Sequence, residues 1–263
     1  MKTVPVIPGM FCWHELVTAR TADAAQFYSG LFGGEVQSFP LPMGLYSILM
    51  REGQPIAGFQ PSNDKVPMDA PHQWLNYLAV TDVDATVRAA LELGGSVCMP
   101  PEDNSMGRAA IIRDPLGARV ALFKAEPGKT DGTNPAGDGC VCWVELYTED
   151  PAGMARFYNR LLGWTTTVFP LPSGEVHVAR VQGRPVATIC QRAKQDPMAF
   201  NRWYPFFQVE SVESAGKRAR ALGGRLATEP MDVPGVGRVV PVFDAVGAEL
   251  AFMCWAADTT TIH

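Results

Sequence analysis

The chain has 263 residues, 47% hydrophobic, 19% charged and 10% aromatic, with a formal net charge of −5. That is enough apolar material for a sizeable core, which excludes a disordered chain and a disulfide mini-protein. Scattered basic residues give no footprint for nucleic acid, and no apolar run approaches the roughly 20 residues that span a bilayer.

In chain order, the opening Met1-Lys2-Thr3-Val4-Pro5-Val6-Ile7-Pro8 is too short and proline-rich for a signal peptide, so the expected compartment is the cytoplasm. Phe11–Val17 reads as a strand. Thr21–Phe32 reads as an Ala-rich helix, with Thr21 as its cap and Gly33-Gly34 as its end. Strands are predicted near 35–39, 45–51 and 55–60, with turns at Pro42-Met43-Gly44 and Glu52-Gly53. A strand at 74–80 leads to a helix capped by Asp82 that runs to Leu93, and strands follow near 96–99, 108–113 and 118–123. This is β-α-β-β-β twice over. The stretch from Lys124 to Gly139 is rich in Gly, Pro, Asp and Thr, which is linker composition.

The pattern then repeats. Cys12-Trp13-His14-Glu15-Leu16-Val17-Thr18 recurs as Cys142-Trp143-Val144-Glu145-Leu146-Tyr147-Thr148, 130 residues on. The same spacing carries Phe27-Tyr28 onto Phe157-Tyr158 and Phe39-Pro40-Leu41-Pro42 onto Phe169-Pro170-Leu171-Pro172. It also carries Asp114-x-x-Gly117-Ala118 onto Asp244-x-x-Gly247-Ala248, while Trp74 matches Trp203 at a spacing of 129. In the second copy, Asp150-Pro151 supplies a cap followed by Pro at the first helical position. The chain is a tandem duplication, with domains expected at 9–125 and 139–256 and a linker at 126–138. The expected class is α+β, four βαβββ modules paired into two domains, with helices covering one side of a curved sheet and the other side lining a cleft. The six cysteines form no C-x-x-C pair and read as small hydrophobes in a reducing compartment.

An opening Trp-x-Glu-Leu-x-Thr strand, a helix ending Phe-Tyr-x-x-Leu-x-Gly and a closing Asp114-Pro115-x-Gly117 turn resemble the vicinal oxygen chelate superfamily. That group includes glyoxalase I, the bleomycin and fosfomycin resistance proteins and the extradiol dioxygenases. The style is closest to its tandem glyoxalase-like proteins. Metal-dependent members hold one divalent ion through His and Glu side chains. The resemblance puts those ligand positions at Trp13 and Trp143, Gly58 and Thr188, Asn76 and Tyr204 or Pro205, and Ala121 and Ala251. None of these is a good ligand, and His14, His72, His177 and His263 share no spacing across the copies. The usual metal site is therefore expected to be absent and no cofactor is expected, with a divalent metal in a lactoylglutathione-lyase-like or dioxygenase enzyme as the further alternative.

Other residues carry candidate roles. Glu15 and Glu145 lie two positions beyond Trp13 and Trp143, on the same strand face, as a general base or as a structural acceptor. Trp13, Trp143, Trp74 and Trp203 are candidates for the walls of an apolar ligand slot, or for core packing. Tyr46, Asn76 and Tyr204 are candidate polar handles. Arg108 and Arg238 are candidate anion clamps or salt-bridge partners. His14 is matched by Val144 and reads as helix-facing. The expected function is binding of a small carbonyl or vicinal-oxygen compound in the cleft, as a glyoxalase-like lyase or oxygenase or as a sequestering protein of bleomycin-resistance style. The expected partner is that small molecule, with no nucleic acid and no membrane, and the protein a monomer or a homodimer.

Overall fold

A computed structural model describes residues 2–41, 44–63, 69–130, 132–171, 174–194 and 200–256. Pro42, Met43, Pro172 and His263 lie outside the described residues. After a short β1 (Lys2–Pro5), the first module comprises β2 (Phe11–Thr18), α1 (Thr21–Phe32), β3 (Glu35–Leu41), β4 (Gly44–Arg51) and β5 (Gln54–Pro61). The second comprises β6 (His72–Ala79), α2 (Val83–Glu92), β7 (Ser96–Asn104), β8 (Gly107–Arg113) and β9 (Arg119–Ala125). Strand β10 (Thr133–Ala136) precedes the third module, β11 (Val141–Thr148), α3 (Pro151–Leu162), β12 (Thr165–Leu171), β13 (Gly174–Val181) and β14 (Arg184–Gln191). The fourth has β15 (Arg202–Gln208), α4 (Val212–Ala221), β16 (Arg225–Leu226), β17 (Met231–Val233), β18 (Gly237–Phe243) and β19 (Glu249–Trp255).

Local chemistry sets the helix ends. Asp82 Oδ1 accepts from the Ala85 N–H at 2.9 Å, and Asp150 Oδ1 accepts from the Gly153 N–H at 2.8 Å. Thr21 is not a cap: it is the first helical residue, and Arg20 occupies the cap position, where its side chain caps no main-chain N–H and pairs with Asp23 at 2.7 Å. Instead the Thr18 hydroxyl accepts the Arg20 N–H at 3.0 Å.

Each domain forms one curved sheet. The first runs β3-β4-β5-β2-β6-β9-β8-β7, and the second runs β12-β13-β14-β11-β15-β19-β18-β16, with β17 on β18. At the centre of each, an antiparallel pair joins the two modules, β2 with β6 and β11 with β15. Parallel pairs flank it, β2 with β5 and β6 with β9 in the first domain. A parallel connection needs a crossover, which carries the helices to one face of each sheet. Alternation does the rest. Leu16 packs on the helix side with Tyr28 and Trp74, whereas Val17 packs with Leu75, Ile111 and Ala121 on the helix-free face.

The helix sides of the two sheets pack on each other. One core joins Leu16, Tyr28 and Phe59 to Phe207, Val240 and Phe252, and another joins Leu78, Val87 and Ile112 to Leu146, Tyr158 and Trp203. Each such large side chain contributes about 2 kcal/mol by burial. Two reciprocal hydrogen bonds cross the interface, from Tyr28 Oη to Asp244 Oδ2 at 2.9 Å and from Tyr158 Oη to Asp114 Oδ2 at 3.1 Å. The duplication thus yields a pseudo-twofold pair in which each tyrosine reaches the other domain's aspartate.

The stretch expected to be a plain linker contains β10, which pairs antiparallel with β1 from Lys2↔Ala136 to Pro5↔Thr133. Main-chain pairing needs no apolar side chains, so composition carried no sign of it. Among the described residues, no helix is long and apolar enough to cross a membrane.

Candidate ligand sites on the two helix-free faces

In the first domain, Glu15 sits on β2 between Leu75 of β6 and Gly58 of β5. It is 7% exposed. Three donors converge on it: Trp13 Nε1 to Oε1 at 3.0 Å, Tyr46 Oη to Oε1 at 2.6 Å and Tyr77 Oη to Oε2 at 2.8 Å. Burial pushes the carboxyl pKa up, against the pull of these three hydrogen bonds. The phenols of Tyr46 and Tyr77 are raised well above their ordinary value, first by burial and then by the neighbouring carboxylate. Gly58 is required here, because a Cβ on it would lie 2.5 Å from Tyr46 Oη and 2.9 Å from Glu15 Cγ.

In the second domain, Glu145 sits opposite Tyr204 and beside Thr188. Tyr147 Oη donates to Oε2 at 2.7 Å and Thr188 Oγ1 to Oε1 at 2.8 Å, while Trp143 Nε1 donates to Thr188 Oγ1 at 3.1 Å. Its pKa is also raised by burial of its carboxyl group. Its residue as a whole is only half-buried, unlike Glu15. Around it, Trp143, Tyr204 and Phe206 form an aromatic cluster, with Trp255 edge-on to Trp143 at 6.2 Å. The Tyr204 hydroxyl donates to Leu250 O at 2.5 Å, so this residue offers its ring rather than a polar handle.

Several candidates lie elsewhere. Trp74 and Trp203 are each 3% exposed in the cores between the domains, on the helix side and not on the faces that carry Glu15 and Glu145, and they border a small pocket of about 10 Å³. Asn76 is likewise on that side, bonded through Oδ1 to His14 Nδ1 at 2.7 Å. The position that reaches Glu15 is the next residue, Tyr77, which the sequence reading missed by a one-residue slip. Tyr147 was missed too, although its place two residues after Glu145 signals a shared face. Arg108 pairs with Asp84 at 2.6 Å and Asp103 at 2.9 Å, and Arg238 with Glu213 at 2.5 Å and Asp232 at 2.9 Å. Both clamp a helix start to a strand and do not enter either face. His72 is half-buried, its Nδ1 2.7 Å from Thr18 Oγ1. Of the cysteines, Cys140 is buried and the other five are half-buried and free.

Residues 13–123 and 143–251 each match the family described as a glyoxalase-like domain. The chain belongs to the glyoxalase-like family. It is 32% identical over 239 residues to the “Putative glyoxylase CFP32” of Mycobacterium tuberculosis (strain CDC 1551 / Oshkosh), across 90% of this chain and 91% of that protein. It is 31% identical over 261 residues to the anthracycline biosynthesis protein DauV of Streptomyces sp. (strain C5), across 92% of this chain and 91% of that one. Its fold is shared with the 2,2',3-trihydroxybiphenyl 1,2-dioxygenase of the dibenzofuran-degrading Sphingomonas wittichii strain RW1. That match has a TM-score of 0.67 at 12% identity, covering 98% of this chain and 95% of that one. The vicinal oxygen chelate resemblance and the α+β class of paired modules are therefore correct.

A divalent ion of the kind used by metal-dependent glyoxalase-like proteins needs three or four converging O or N ligands. On the second helix-free face Glu249 is taken up by Arg202 at 2.7 Å, and at the centre of each face stands one carboxylate, Glu15 or Glu145. Its neighbours are indoles that only donate, phenols held protonated, and Gly58, Ala121 or Ala251. Among the described residues, no three His, Cys, Asp or Glu side chains gather. The donor set does not fit the ion.

Proposed function

We propose that this glyoxalase-like protein binds a small organic molecule carrying carbonyl or vicinal oxygens on the helix-free face of its second domain, without the usual metal ion. In this reading Glu145 is the carboxylate that meets the ligand, and Glu15 is its structural counterpart. The observation that supports it is the difference in access: Glu145 is half-buried, whereas Glu15 is shut in beneath three donors. Trp143, Tyr204 and Phe206 give the apolar wall that such ligands use. Tyr147 and Thr188 hold the carboxylate in place, and its raised pKa suits it to accept a proton from a ligand hydroxyl or from a carbon next to a carbonyl.

Catechol, a vicinal-oxygen probe, tests this by titration calorimetry on protein dialysed against chelator. Saturable binding is expected, weakened about tenfold by Glu145→Gln and changed less than about twofold by Glu15→Gln. Unaltered binding to Glu145→Gln overturns the assignment. Elemental analysis of chelator-free protein showing about one divalent metal per domain overturns the metal-free part.

A further inference from the structure

A cavity of about 320 Å³ lies between the domains, and neither Glu15 nor Glu145 borders it. Phe11 and His14 of β2 meet Val141 and Val144 of β11 there, residues 130 positions apart in the chain. The pseudo-twofold arrangement thus brings matching strands together around an open volume. Val4 of β1 and Asn134–Gly137 on and after β10 close it from outside, and Trp143, Val186 and Trp255 add apolar wall. Size and make-up are those of a small-molecule site, largely apolar with a few placed polar groups.

Asn134, Arg184 and Gln208 also border the cavity, with Asn134 Nδ2 donating to Phe11 O at 2.8 Å, and the two copies differ at a wall position that could accept a hydrogen bond. His14 faces the cavity where its counterpart is Val144. His14 is 8% exposed, and its Nδ1 lies 2.7 Å from Asn76 Oδ1. An amide oxygen only accepts, so Nδ1 carries the proton. Burial pushes the ring pKa down to about 4, which keeps the imidazole neutral. Nε2 is then a bare acceptor, and it makes no hydrogen bond with the described residues. An unpartnered acceptor facing a largely apolar volume selects a ligand that brings a donor of its own.

We propose that this interdomain cavity is a second small-molecule site, which takes an apolar ring compound through a hydroxyl group donated to His14 Nε2. The occupant would touch both domains and the strand that joins them, and it would share the Trp143 wall with the face that holds Glu145.

The probe is 2-naphthol, with naphthalene as its hydroxyl-free analogue, titrated into the full chain. Tryptophan fluorescence follows binding, since Trp143 and Trp255 border the cavity, and imidazole ¹⁵N resonances follow His14. One saturable 2-naphthol site is expected, with a shift at His14 Nε2. His14→Val copies the residue of the second domain, so the fold should hold; it should weaken 2-naphthol about tenfold and leave naphthalene unchanged. Ala136→Trp, on the half-buried roof, should abolish binding of both. Three results overturn the proposal: no saturable binding to the parent protein, equal 2-naphthol affinity in His14→Val, or binding that survives Ala136→Trp.

Discussion

The two domains place a tryptophan and a glutamate at the same positions of the same strand, yet the atoms that hold the carboxylate differ. Glu15 takes its bonds from Trp13, Tyr46 and Tyr77; Glu145 takes its bonds from Tyr147 and Thr188. At the matching positions Tyr46 becomes Val176, Tyr77 becomes Phe206, Gly58 becomes Thr188 and Val17 becomes Tyr147. What the duplication kept is the requirement that a carboxylate taken out of water be hydrogen-bonded; which groups supply the bonds was free to change. The exchanges are also coupled in space. A side chain at position 58 would displace Tyr46, so the first domain pairs glycine with the phenol and the second pairs threonine with a smaller valine.

The largest expected effect breaks that coupling. Gly58→Thr should drive Tyr46 off Glu15 and cost about 3 kcal/mol in urea unfolding, through overpacking and a carboxylate that loses its shortest bond. Adding Tyr46→Val imports the second domain's solution and should recover at least about 1 kcal/mol of that loss. If the double variant is no more stable than Gly58→Thr alone, the two positions are not coupled.

A somewhat smaller effect separates His14 from Val144. The folded-state pKa of His14 is pushed down to about 4 from an ordinary 6.5. Its contribution is therefore fully present above pH 6.5 and is lost as pH falls towards 4. Between pH 7 and pH 5 this amounts to about 2 kcal/mol. Asp114 works in the opposite sense, since burial raises its pKa to about 6 and its share of stability is lost as pH rises from below its ordinary value. For that reason the comparison must be parent against His14→Val, in which the loss of stability from pH 7 to pH 5 should shrink by about 2 kcal/mol. An unchanged difference would mean that the ring is not held neutral.

Much of this was legible in the sequence, because repetition and period-two alternation are read from residue identity alone. The modules, the caps at Asp82 and Asp150, and the shared face of Trp13 and Glu15 follow from such patterns. What escaped depended on register. Asn76 and Tyr77 are neighbours, and a shift of one residue exchanges the helix side for the helix-free face, so a polar handle chosen by counting fell on the side away from Glu15. The four tryptophans looked alike for the same reason, although only Trp13 and Trp143 share a face with a glutamate. Nor could the sequence show that β10 pairs with β1, because that contact is made by main-chain atoms.

The smallest effect concerns the tyrosines that cross the interface, and it tests how far the pseudo-symmetry extends into energetics. Tyr28→Phe and Tyr158→Phe each remove a hydroxyl that donates to a buried aspartate of the other domain. Each aspartate keeps main-chain donors, with Asp114 accepting from the Leu116 and Ala118 N–H groups and Asp244 from those of Val246, Gly247 and Ala248. The expected loss per tyrosine is therefore near about 1 kcal/mol rather than that of an orphaned charge. The two sides are not equal, however. Trp203 Nε1 also donates to the Tyr158 hydroxyl at 3.0 Å, so Tyr158→Phe strips a partner from a buried indole as well as from Asp114. Tyr158→Phe should thus cost about 1 kcal/mol more than Tyr28→Phe in thermal or urea unfolding. Equal losses would show that the indole bond contributes nothing net, and that the interface is as symmetric in energy as it is in topology.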